Sequence, residues 1–162
     1  MRARVAVVAT GIVSPLGPGR NPTLEGLREA RDCVSPVRSF PVDQCRCQTA
    51  GQVDDEWVQA LLPHDRRSRR LHRSSGMLIA ALRELLDQAP GFQPQLTVIG
   101  TTSGGMSFGE RYYRALGEEA ARPRREPEWI ANYPPQKPVL DALEAFGQTT
   151  PCQVVANRPR TA

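Results

Sequence analysis

Apolar and polar positions along this chain alternate between short continuous apolar runs and longer amphipathic stretches. Residues 5–9, VAVVA, are apolar without interruption and mostly β-branched, the pattern of a strand covered on both faces. Gly11 breaks the run, and Ser14, Pro15 and Gly17 make a turn. A strand so apolar is expected at the centre of a sheet, with the rest of the chain around it. Asn21 or Thr23 can cap a helix that runs through LEGLREA to about Arg31. Residues 33–56 read as a wandering loop, with a short hairpin near residues 48–53. Residues 57–62 make one or two helical turns, stopped by Pro63.

The strongest helical pattern follows. Leu71, Met77, Leu78, Ala81, Leu82, Leu85 and Leu86 recur at roughly helical spacing, and Pro90 and Gly91 end the run. Residues 96–99 predict a second strand, and FGERYYRALGEEAA, a helix. Residues 122–138 are rich in proline and charge, with Trp129 and Tyr133 as anchors. Pro138 can open the helix VLDALEAF, which Gly147 stops, and Cys152–Ala156 reads as a third strand. Strand, helix, strand, helix, strand predicts an α/β chain with parallel strands and right-handed crossovers.

With 162 residues the chain is expected to form one domain with a real core. The 15 prolines and 13 glycines predict long connections between its elements. Net charge is +4, and the excess is clustered: Arg66, Arg67, Arg69, Arg70 and Arg73 fall just before and at the start of the strongest helix. Such a patch attracts anions. A solvated face, nucleic acid and an acidic protein all fit it, but no aromatic residues interleave with the arginines to stack bases. Cys45 and Cys47 lack the spacing of a zinc or thioredoxin-like motif, and the four cysteines are read as free thiols of a reducing cytosol. No apolar run approaches the roughly 20 residues of a membrane span, and no signal peptide is recognisable. The expectation is a cytoplasmic protein without membrane or nucleic-acid partners, metal or cofactor.

Other candidate chemistry is thin. The glycines between Gly11 and Gly19 lack the spacing of a dinucleotide fingerprint and read as a turn for close backbone packing. Gly100–Gly105 can form an anion-binding nest or a tight strand-to-helix passage. His64 and His72 flank the arginines and read as surface residues. Cys152 opens a strand, whereas a nucleophile in an α/β fold lies just after one, so it reads as structural.

Taken in order, several segments resemble the amino-terminal region of the β-ketoacyl-acyl carrier protein synthases, the thiolase-like condensing enzymes of fatty acid and polyketide biosynthesis. VAVVATGIVSPLG is similar to the family's first strand and its T-G-x-G-x-V-S-P-L-G turn. LEGLREARDCVSPVRSF looks like the helix and the stretch after it, and AGQVDD like an A-G-x-V segment. VIGTTSGGM is similar to V-G-x-x-x-G-T-x-x-G-G. FGQTTPCQVVAN resembles the passage into the catalytic strand, F-G-x-x-G-P-x-x-x-x-x-T, with Thr150 where glycine is usual.

The resemblance covers residues 1–157. It implies an incomplete first half of a thiolase-like fold: a mostly parallel sheet of about three main strands flanked by helices. It implies acyltransferase chemistry by descent, and an acyl carrier protein docked on Arg66, Arg69 and Arg70. It also implies dimerisation through the Cys152–Ala156 strand. The departure lies at residues 158–162, where the likeness ceases. The family's alanine and nucleophilic cysteine would occupy the positions of Arg158 and Pro159. The expectation is a chain cut before its catalytic cysteine and before the family's two histidines and lysine. RPRTA then reads as out-of-frame text or as the mark of a broken gene. Such a chain has no catalytic residue of its own and is expected to be inactive alone. A non-catalytic partner that binds the carrier protein or a full-length synthase is the alternative.

Overall fold

The computed structural model describes residues 4–62, 68–101, 105–117 and 126–156. They fall into two compact units: one of residues 1–63 with 80–92, the other of residues 64–79 with 93–162.

In the first unit, β1 (Val13–Ser14) and β2 (Gly17–Pro18) form a short antiparallel ladder, and α1 (Arg20–Arg28) follows at once. β3 (Val34–Pro36) pairs antiparallel with β4 (Thr49–Gly51); the hairpin expected near residues 48–53 is instead a single strand whose partner lies across a long loop. Asp54 caps α2 (Asp55–Leu61), its carboxylate accepting from the Glu56 N–H at 2.9 Å. The carboxy-terminal part of α3 (Arg73–Gln88) lies in this unit. Glu84 on α3 accepts from the N–H groups of Ile12 (2.9 Å) and Arg20 (2.6 Å). It thereby supplies α1 with the cap that Gly19 has no side chain to give. Gly11 lies so close to α3 that a Cβ would sit 1.8 Å from the Ala81 carbonyl oxygen. Close packing is therefore the role of this glycine, as its spacing suggested. Val53, Val58, Leu62 and Ala80 are buried here.

The second unit holds the one parallel pair among the described residues. β5 (Thr97–Thr101) lies beside β6 (Cys152–Ala156), in register from Thr97 opposite Cys152 to Thr101 opposite Ala156. Between them come α4 (Met106–Gly117), α5 (Glu126–Asn132) and α6 (Lys137–Ala145). Pro138 sits in the first turn of α6, and Gly147 follows its end at φ 61°, a left-handed conformation that suits glycine. α6 buries Val139, Ala142 and Leu143. Asp141 on the same helix is only 3% exposed; it accepts from the Ser75 hydroxyl at 2.9 Å and pairs with the Lys137 ammonium.

The sheet departs from expectation at one place. Residues 5–9 are not a strand and pair with no described residue. Val5, Val7 and Val8 are 94%, 83% and 85% exposed. Their composition suits a buried strand, but burial requires neighbours on both edges and layers on both faces. The described chain supplies neither, so the run stays bare. Its far end is fixed: the Gln88 amide bonds the Thr10 carbonyl at 2.6 Å. The described strands accordingly form three two-stranded sheets rather than one. All four cysteines are free thiols, Cys45 and Cys47 exposed and Cys33 and Cys152 half-buried.

Candidate functional site

The arginine cluster leads into α3 from a 3-10 turn at Ser68–Arg70. Arg66 lies outside the described residues; Arg69 is in the turn, and Arg70 and Arg73 are exposed. Arg111 on α4 adds another exposed cation to this region. Its guanidinium carbon lies 6.0 Å from the centre of the Phe108 ring.

His72 ties these elements together. It is half-buried, not a free surface residue. Its Nδ1 lies 2.6 Å from the Ser74 hydroxyl and 3.2 Å from the Ser74 backbone N–H. Its Nε2 lies 2.9 Å from the hydroxyl of Ser107, in the first turn of α4. The imidazole centre is 5.3 Å from that of Phe108, at a tilt of 53°. Burial, then the Arg111 and Arg73 guanidiniums, push the His72 pKa below its ordinary 6.5, against an opposing pull from Asp141. These effects favour the neutral form of the imidazole.

β5 and β6 end side by side, because Thr101 is opposite Ala156. In an α/β fold the carboxyl ends of parallel strands are where sites are built. Residues 102–104 and residues 157–159, which follow these two ends, lie outside the described residues, and so do Arg158 and Pro159. Gly105 resumes the chain in close contact with α5: a Cβ there would sit 2.0 Å from the Asn132 carbonyl oxygen. Among the described residues no three His, Cys, Asp or Glu side chains converge as metal ligands. Nor is any described helix long and apolar enough to cross a membrane.

The sequence located the arginines but not the His72–Ser107 contact. Gly105, Ser107 and Gly109 stand in a G-x-S-x-G pattern that marks Ser107. Nothing local pairs it with a histidine 35 positions earlier.

No family model matches the chain. Over 140 residues it is 25% identical to 3-oxoacyl-[acyl-carrier-protein] synthase 2 of Synechocystis, a match covering 81% of this chain and 33% of that protein. The structure is similar to that of the ishigamide ketosynthase/chain length factor. The TM-score is 0.81 at 19% identity, over 96% of this chain and 40% of that one. A β-ketoacyl synthase from Burkholderia phymatum gives a TM-score of 0.67 at 15% identity, over 92% of this chain and 38% of that one. A chain from a type II polyketide synthase complex, in which the acyl-carrier protein is bound to its ketosynthase, gives 0.63 at 16% identity. That match spans 97% of this chain and 44% of the other. The fold is thus part of the thiolase-like ketosynthase fold, and the sequence likeness points the same way. The chain spans about a third of the length of the curated relative it matches.

Proposed function

We propose that this chain is the amino-terminal part of a β-ketoacyl-acyl carrier protein synthase. In this reading it presents Arg66, Arg69 and Arg70 to an acidic carrier protein and does not itself catalyse condensation. One observation carries the second half of the proposal. In the sequence, Arg158 and Pro159 come after β6 and Asn157, at the positions where the resemblance puts an alanine and the nucleophilic cysteine. Condensation needs a thiolate to hold the acyl chain and donors for the developing oxyanion. Neither arginine nor proline can form the thioester, and proline also lacks the backbone N–H of an elbow. The docking half is supported by the exposed Arg70 at the entrance to α3 and by the carrier protein bound to its ketosynthase in one solved neighbour. A basic patch steers an acidic partner and loses strength as salt rises.

The test is binding of an acyl carrier protein to this chain at low and raised salt. Arg69→Glu with Arg70→Glu is expected to weaken binding by roughly tenfold or more at low salt, the cost of turning complementary charges into repelling ones. Unchanged affinity at low salt refutes the docking assignment.

A second reading, a non-catalytic partner of a full-length synthase, is favoured by the edge of β6. Among the described strands β6 pairs with β5 alone, and Val155 is 53% exposed. One neighbour is described as a ketosynthase/chain length factor. This reading expects the chain to co-elute with a full-length synthase and to dimerise through Cys152–Ala156, with Val155→Asp abolishing both.

A further inference from the structure

We infer that Ser107 is a nucleophile served by His72, forming an acyl-transfer site on this chain. It stands whether or not the arginines dock a carrier protein. The sequence around Ser107, G-M-S-F-G, has the spacing of a nucleophile motif, and Ser107 lies in the first turn of α4, the helix that follows β5 along the chain. In such a motif the flanking glycines let neighbouring backbone close in. Here Gly105 is packed against the Asn132 carbonyl, and a Cβ on Gly109 would lie 2.5 Å from the Tyr133 ring. Ser107 itself is exposed.

The three side chains form the series nucleophile, base, orienting group. Ser107 Oγ is 2.9 Å from His72 Nε2, and Ser74 Oγ is 2.6 Å from His72 Nδ1. Phe108, tilted against the imidazole, restricts its plane. Two tautomers of His72 compete. With the proton on Nε2, Nδ1 accepts from the Ser74 N–H and caps α3, while Nε2 donates to Ser107. With the proton on Nδ1, that N–H donates to the Ser74 hydroxyl and Nε2 accepts from Ser107. Only the second is a competent base, and the Ser74 hydroxyl permits it by accepting instead of donating.

Among the described residues, the charged groups acting on His72 are Arg73 on α3, Arg111 on α4 and Asp141 on α6. Burial and the two guanidiniums favour the neutral imidazole, the form a general base needs. The same positive charge favours an oxyanion.

The substrate class is an accessible acyl thioester. Ser107 Oγ attacks the carbonyl carbon and gives its proton to His72 Nε2. The C–S bond breaks, and the thiolate leaves with that proton, giving an O-acyl serine. Water, deprotonated by the same imidazole, then attacks the ester; carboxylic acid leaves and Ser107 is restored. The sum is thioester plus water to acid plus thiol.

The test treats the whole chain with a fluorophosphonate, whose fluoride a competent serine displaces, and maps the adduct by mass spectrometry. Ser107 is expected to carry the label, and Ser107→Ala to abolish it. His72→Asn keeps an acceptor able to cap α3 but has no base, and is expected to slow labelling about a hundredfold. The rate should fall as pH drops through a His72 pKa below 6.5, and this inflection should vanish in His72→Asn. A label on another serine, no label at all, or a rate unchanged in His72→Asn overturns the inference.

Discussion

The buried cluster of Ser75, Asp141 and Lys137 gives the sharpest test of how the second unit is held. Ser75 is fully buried, Asp141 is 3% exposed, and the Lys137 side chain is 30% exposed. Ser75→Ala removes a hydrogen bond to a charged acceptor, about 1.5–3 kcal/mol. Asp141→Ala strands the Ser75 hydroxyl where water cannot reach it, about 1–3 kcal/mol. It also frees the Lys137 ammonium, but that group reaches solvent, so its cost lies below the 3–5 kcal/mol typical of a fully buried pair. Each single variant is therefore expected to lose roughly 2–3 kcal/mol. The double variant leaves no hydroxyl stranded, and its loss should be smaller than the sum of the two by about 1–2 kcal/mol. Trp129 lies on α5 in the same unit. Its fluorescence during urea unfolding, in a Trp57→Phe background, reports this unit. Losses that add to within about 0.5 kcal/mol would mean that the two residues do not depend on each other, and the reasoning fails.

Two further outcomes follow from the same structure. Val7→Lys should leave the urea stability of the first unit within about 0.5 kcal/mol of the parent, as exposed substitutions do. A loss of 2 kcal/mol or more would show that residues 5–9 are packed after all. The second concerns pH. His72 has a lower pKa folded than unfolded, so between the two values the unfolded chain binds more protons. Its contribution is complete above the ordinary value of 6.5 and is lost as pH falls through the depressed folded value. The melting temperature of the second unit should drop over that range, and His72→Asn should flatten the drop; an unaltered slope refutes the linkage.

The amphipathic segments were legible because their information is local. Leu78, Leu82 and Leu85 lie on one strip at helical spacing, and α3 forms where they predict it. β6 matches its five-residue run end to end, and Pro138 and Gly147 mark α6 by backbone restriction and backbone freedom. α5 was hidden, because Pro127 and the charged residues around it read as a connection. The family resemblance was legible through motif order, which survives at 25% identity.

Residues 5–9 and His72 show where local information stops. Composition declares that VAVVA is fit to be covered, but only partners in space can cover it, and the described chain offers none. His72 looks like any histidine beside arginines until the folding of α3 and α4 brings Ser107 to its Nε2 and charge to its ring. The sequence by itself determined the amphipathic helix α3, the helix α6 and the β6 strand, since each depends on residues a few positions apart. The tertiary structure alone decided which apolar run stays bare and which hydroxyl meets the imidazole. Both outcomes are set by contacts between distant segments, and those contacts leave no periodic trace along the chain.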